Sequence, residues 1–202
     1  MSEPQPKSFL NVGGGSATIE IPPYYAGWRQ VRLDIDPGCN PDVVLDARLL
    51  HTQPPATYDA VYCAHNLEHY YHHEAAGVVR GFAHVLKPDG FAEIHVPDLL
   101  WVMRDVVERK LDIDDVLYHT STPIPILVRD VLYGYHVEIE RSQNDFYAHK
   151  TGFSPASLSR LFMANGFSTY AVGVKYQYEV TGYYFKQPPT SEQFSFLQLR
   201  TA

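Results

Sequence analysis

Residues 9–16 read FLNVGGGS, a short apolar run that breaks on three consecutive glycines. The run has the character of a strand. Glycines at 13, 14 and 15 let the backbone approach a ligand closely and present N–H groups that a side chain would cover. A glycine turn is also an ordinary connection between two elements, so the residues after it decide the reading. VRLDIDP at 31–37 supplies a second strand ending on Asp34, and PDVVLD at 41–46 a short third one ending on Asp46. YDAVYCAHNLEHYY at 58–71 carries a fourth strand into a polar elbow at His65. Acids at successive strand ends behind a glycine turn hold a nucleotide-like ligand at one edge of a parallel sheet. Asp34 is placed to accept hydrogen bonds from both hydroxyls of a ribose, with Asp36 as the second candidate. Asp46 is placed to accept from an adenine amino group, with Ala47 offering a backbone N–H.

The rest of the pattern is α/β. Strands are expected over 7–12, 30–35, 41–46, 56–64 and 91–96. Between 70 and 86, Ala75, Val78, Val79, Phe82 and Leu86 recur at helical spacing, and KPDG at 87–90 ends that helix. Pro22, Pro23 and Gly27 exclude a long helix after the glycines, leaving one or two turns and an irregular crossover. A helix is expected over 100–110. The stretch 112–140 has no clear period, and 99–150 reads as an insertion or lid on the substrate side. Ser154 as N-cap and Pro155 at the first helical position open a further helix that ends at Gly166. Strands over 168–174 and 179–186 form an antiparallel edge, and 187–202 is expected to be a loose tail on a single domain spanning 1–202.

The chain has 202 residues and a net charge of −7, from 16 Lys+Arg against 23 Asp+Glu. Without a dense basic run it lacks the footprint that neutralises phosphates, so nucleic acid is not expected as a partner. No apolar run approaches the roughly 20 residues that span a bilayer. The polar N-terminus, MSEPQPKS, has no signal-peptide core, and Cys39 and Cys63 have no paired spacing, so a reducing, cytoplasmic setting is expected.

In this order FLNVGGGS, LDIDP, LDA, YDAVYCAHNLEH and VLKPDGFAEIHVPD resemble class I, Rossmann-like S-adenosylmethionine-dependent methyltransferases of the type 11 kind. The resemblance covers 9–98, and SLSRLFMANGF at 157–167 matches the family's C-terminal part. It implies a seven-stranded, mostly parallel sheet with an antiparallel last strand and helices on both faces. S-adenosylmethionine would lie across the carboxyl ends of strands one to four. The resemblance sets Gly13, Gly14 and Gly15 beside the methionine part and Asp34, with Ile35 next to it, at the ribose. Asp46 and Ala47 fall at the adenine, and Ala64 and His65 near the sulfonium. Asn11 stands where the family carries an acid for the methionine amino group; it can accept a hydrogen bond but has no charge.

Methyl transfer from a sulfonium is an in-line displacement, so the protein mainly aligns nucleophile, carbon and sulfur. A hydroxyl acceptor gains from a base, and His65 is the first candidate and His149 the second. Lys150 closes the insertion beside His149, and Tyr118, His119, Tyr133 and His136 sit inside it; His69 reads as scaffold. The expected function is methylation of a small-molecule or glycan-like acceptor, with oxygen favoured as the nucleophile. Asn11 and the short first helix leave open a non-catalytic module that binds S-adenosylmethionine or S-adenosylhomocysteine. Residues 65–69 also fit the H-x-x-E-H zinc pattern, with Glu138 or Glu140 as third ligand. That motif starts at a strand end, and no metal is expected. NAD binding lacks the G-x-G-x-x-G spacing, and IPPY at 21–24 lacks the acceptor residue that base-amine methylation requires.

Overall fold

The computed structural model describes residues 6–17, 19–120, 123–173 and 176–199. Val174, expected to close a strand, lies outside them, as do 1–5 of the polar N-terminus and 200–202 of the tail. Nine strands occur among the described residues: β1 (Ser8–Val12), β2 (Arg29–Asp34), β3 (Val43–Val44), β4 (Tyr58–Ala64), β5 (Leu86–Pro97), β6 (Val116–His119), β7 (Pro125–Leu127), β8 (Thr169–Gly173) and β9 (Glu179–Phe185). Seven of them form one sheet in the order β3-β2-β1-β4-β5-β9-β8. The pairs from β3 through β5 are parallel, and β9 runs antiparallel to both neighbours. The sheet is thus the expected one, with β9 inserted beside β5 and β8 left at the edge. Within β5 the pairing to β4 shifts between Tyr58 and Ala60 and resumes at Phe91, after the KPDG break.

Period-two alternation gives the sheet two apolar faces. Leu10 and Val12 of β1 pack on one face with Val61, Cys63, Ile94 and Val180. That face is covered by α1 (His72–Val85), through Ala75, Val78, Val79 and Phe82, and by a later helix, Pro155–Met163. Ser154 caps the latter, accepting from Ser157 N at 3.3 Å. Phe9 faces the other way, into a cluster with Ala60, Tyr62, Phe91 and Phe185. Here the prolines prevail: Pro23–Tyr25 is a single 3-10 turn, and Tyr25 stacks on Phe9 with ring centroids 4.4 Å apart.

What completes that second face corrects the expectation of a loose tail. Residues Ser191–Phe196 form a helix whose Phe196 stacks on Trp28 at 4.8 Å, and the adjoining Leu197 is only 4% exposed. Between β5 and the capped helix lie α2 (Leu99–Arg109), the β6–β7 hairpin, α3 (Val128–Tyr133) and α4 (His136–Ser142). The Pro155–Met163 and Ser191–Phe196 helices are α5 and α6. Val102, Leu117, Val128 and Val131 of the insertion form a small core with Tyr178, the residue before β9. No helix among the described residues is long and apolar enough to cross a membrane.

Candidate active site

The sheet reverses its winding between β1 and β4, where the connections leave in opposite directions and open a crevice at the carboxyl ends of the strands. A cavity of about 450 Å³ lies there, walled by Gly13, Gly15, Asp34, Ile35, Asp46 and His65 from the strand ends. The 138–150 part of the insertion closes it with Glu138, Asn144, Phe146, Tyr147 and Lys150. A roomier hollow of about 680 Å³ lies at the amino ends of the strands, around Ser8, Arg29 and Tyr58. It has no glycine turn and no row of strand-end acids, so the smaller cavity is the candidate site.

The glycine turn is held by its neighbours. Gly13 N and Gly14 N both donate to Leu33 O, at 2.9 and 3.2 Å, and Gly15 N donates to Asp34 Oδ2 at 2.9 Å. Gly13 and Gly15 have φ of +69° and +47°, the left-handed region in which a side chain is strained. Asp34 Oδ1 accepts from Asp36 N at 3.0 Å. A carboxylate has about four acceptor positions, so each oxygen of Asp34 keeps capacity for a ribose hydroxyl. Asp36 instead caps the next turn, accepting from Gly38 N at 2.7 Å.

Asp46 caps the turn that follows β3 and is held by Arg48, whose Nη2 lies 2.5 Å away; Arg48 also binds Glu74 at 2.6 Å. Burial works to raise the Asp46 pKa, but the hydrogen bonds from Arg48 outweigh it and hold the carboxyl below its ordinary range. The Asp46 end of the cavity is therefore lined by an Asp–Arg–Glu group, of which only the Asp was foreseen.

Of the other expected residues, Asn11 is buried beneath Gly14 and Ala47 is buried under the sheet. Of the described residues, Asn11, Gly14, Ala47 and Ala64 are set back from the cavity wall. His65 adopts a left-handed backbone with φ of +48°. Its Nε2 meets Glu179 Oε2 at 3.0 Å, and its Nδ1 lies 3.5 Å from Glu68. Desolvation of the ring by the surrounding protein pulls its pKa down, yet the carboxylates of Glu179 and Glu68 overcome this and push it up to about 10. With 56% of its side chain exposed, solvent screens part of this shift, but both carboxylates favour the imidazolium, which donates hydrogen bonds and is poorly suited to taking a proton. His149 is set behind the wall, where its Nδ1 donates to Val131 O at 2.9 Å and burial lowers its pKa. Tyr118 stacks on Tyr178 at 5.4 Å, Tyr133 is exposed, and His136 pairs with Asp130, so these three are taken up away from the cavity wall. Glu138 lines the cavity far along the insertion, bound to Arg141.

Besides Arg48 and Glu74, sequence reasoning missed two further groups. Asn66 presses on Gly13, so that a Cβ there would come within 2.4 Å of its Nδ2. Its position on the elbow one residue past His65 was the available signal. The second group is a hydrogen-bonded chain across the sheet. His65 meets Glu179, Glu179 meets His95 at 2.8 Å, and His95 meets Glu93 at 2.9 Å. Tyr25 donates to Glu93 at 2.9 Å, and Tyr24 donates to it as well. Glu179 is 114 residues from His65 in sequence, and only the pairing of β5 with β9 brings them together.

A sequence profile described as "Methyltransferase domain" matches residues 1–172. No curated protein matches the chain in sequence. Among solved structures, the chain is similar to a protein from Pyrococcus horikoshii OT3, with a TM-score of 0.58 at 16% identity over 91% of this chain and 83% of the other. It is similar to a SAM-dependent methyltransferase from Archaeoglobus fulgidus, with a TM-score of 0.55 at 12% identity, covering 90% and 86% of the two chains. A third likeness is to the 1,6-didemethyltoxoflavin-N1-methyltransferase of Burkholderia thailandensis with bound 1,6-didemethyltoxoflavin and S-adenosylhomocysteine. There the TM-score is 0.50 at 15% identity, over 91% of this chain and 72% of that one. At these identities the likenesses bear on the fold.

Proposed function

The chain belongs to the methyltransferase domain family, and from that premise we propose that it transfers the methyl group of S-adenosylmethionine to a hydroxyl of a small-molecule or glycan-like acceptor. The observation that carries this is Asp34. It stands at the end of β2 with one oxygen tied to Gly15 N and the other to Asp36 N, so its spare acceptor capacity is fixed in direction beside the glycine turn. The cavity of about 450 Å³ also falls within the range of small-ligand sites. When bound, the cofactor supplies a methyl already activated on sulfur. The protein's task is to bind, orient and exclude water.

In this reading Gly13 and Gly15 flank the methionine part, Asp34 holds the ribose, and Asp46 with Arg48 borders the adenine. His65 contributes a positive charge rather than a base: it favours an acceptor hydroxyl that has given its proton to solvent on entry, so that the oxyanion takes the methyl as the carbon–sulfur bond breaks. A small acceptor is favoured by the net charge of −7 and by a wall from the insertion that mixes Tyr147, Asn144 and Lys150. The small heterocycle in the Burkholderia structure supports the same size class.

The test is production of S-adenosylhomocysteine from S-adenosylmethionine with a mixed pool of phenols, sugars and hydroxy acids. Turnover that is abolished in Asp34→Ala is expected. Cofactor binding without turnover on any acceptor class would favour a binding module over an enzyme.

A further inference from the structure

We propose that Glu68, His69 and His149 form a binding site for a divalent transition-metal ion, with an open coordination position facing the cavity. Glu68 and His69 belong to the 3-10 turn Leu67–His69 behind β4, and His149 lies at the end of the insertion. The backbone locks the two segments together: Lys150 N and Thr151 N both donate to Glu68 O, at 2.8 and 3.1 Å.

Both imidazoles are fixed from behind. His69 Nδ1 lies 3.1 Å from Ala148 O, and His149 Nδ1 lies 2.9 Å from Val131 O. A carbonyl oxygen can only accept, so each Nδ1 carries its proton and each Nε2 keeps its lone pair. This backing is how proteins orient metal-binding histidines. The rings meet edge to face with centroids 5.0 Å apart, and one ligand atom from each of the three side chains lies within 4.8 Å of the others.

Glu68 supplies the independent observation. It is 1% exposed, and neither carboxylate oxygen has a hydrogen-bond partner among the described residues. His65 Nδ1, at 3.5 Å, is in ion-pair range but not hydrogen-bonded to it. The His65 imidazolium, 3.5 Å away, balances part of that charge, but a buried carboxylate without a hydrogen bond stays under-coordinated and suited to a cation. Ligand atoms about 2.1 Å from one ion sit roughly 3.4 Å apart in a tetrahedron, so an ion must draw these three together, chiefly through Glu68, whose carboxylate no hydrogen bond holds among the described residues. Two imidazoles and one carboxylate suit zinc or manganese better than magnesium or calcium, which prefer oxygen ligands throughout. Three protein ligands leave a position free, and His69 is also part of the cavity wall. An oxygen of the acceptor can occupy that position; this last step rests on the methyltransferase reading above, while metal binding does not. The ligand set differs from the H-x-x-E-H pattern: Glu68 becomes a ligand, and His149 replaces His65.

The experiment is calorimetric titration of chelator-treated, full-length protein with ZnCl₂ and, separately, MnCl₂, in the absence of cofactor and acceptor. One ion per chain is expected, with affinity reduced at least about tenfold in Glu68→Gln and in His149→Gln. Cobalt substitution of the wild-type site should give a visible d–d spectrum that Glu68→Gln loses. S-adenosylhomocysteine binding is measured on the same chelator-treated samples. Its retention in Glu68→Gln checks that the variant is folded and keeps the two readings separable. No metal binding, or binding equal in wild type and both variants (as exposed histidines such as His72 and His73 would give), overturns the proposal. Metal binding without S-adenosylhomocysteine binding would overturn the methyltransferase reading and leave the metal site standing.

Discussion

Gly13 has no room for a side chain. Its φ of +69° is one that other residues reach only with strain, and a Cβ would sit 2.4 Å from Asn66 Nδ2. Gly13→Ala is therefore expected to lower stability by about 1–3 kcal/mol and to weaken cofactor binding. Adding Asn66→Ala should return the part due to the clash and leave the part due to φ. Urea unfolding of the single and double variants reads this directly, and strictly additive effects would mean that Asn66 does not set the turn. Glu179 is the second telling residue. Burial works to raise its pKa, but hydrogen bonds to His65 and His95 hold it at about 2 instead of 4.5. A depressed carboxyl contributes stability that is fully present above its unfolded value and is lost as pH falls through its folded one. The wild type should thus lose stability between about pH 5 and pH 2 more steeply than Glu179→Gln. Parallel curves for the two proteins would deny the pairing.

At the scale of elements, α6 is the clearest departure from what composition suggests. Its Pro- and Ser-rich surroundings read as a loose end, and six residues are too few for a helical period to be visible. The signal was local: Thr190 accepts from Gln193 N, and Gln193 reaches back to Thr190 N, a reciprocal cap written in the spacing T-S-E-Q. Leu197→Ala is expected to cost about 2–3 kcal/mol as a large-to-small change in a packed site; an unchanged urea midpoint would restore the loose tail. Elsewhere the local signals were sufficient. The glycines stopped β1, the prolines shortened the first crossover to one turn, and Ser154 with Pro155 opened α5. The insertion was illegible for the opposite reason. Its strands are four and three residues long, and its helices α3 and α4 six and seven, so no period develops.

At the scale of the whole molecule, the site forms because strand ends far apart in sequence arrive at one point of winding reversal. Asp34, Asp46 and His65 could be located from sequence because each ends or follows its own strand, where the position in the motif fixes the position in space. Arg48, Asn66 and Glu179 could not, since their roles come from packing between segments. The His65–Glu179–His95–Glu93 chain is the far-reaching case, joining the cavity to the aromatic cluster on the opposite face through β5 and β9. The central claim, that this crevice holds S-adenosylmethionine through Asp34, is tested most directly by calorimetric titration of wild type and Asp34→Ala with S-adenosylhomocysteine. The account predicts one site per chain at micromolar affinity in the wild type. Loss of at least about tenfold is expected in the variant, as for a hydrogen bond to a charged group, with the far-ultraviolet circular dichroism unchanged and only a modest fall in unfolding temperature, since Gly15 N and Asp36 N lose their acceptor. Folded wild-type protein that binds no S-adenosylhomocysteine, or a variant that binds it equally well, would contradict it.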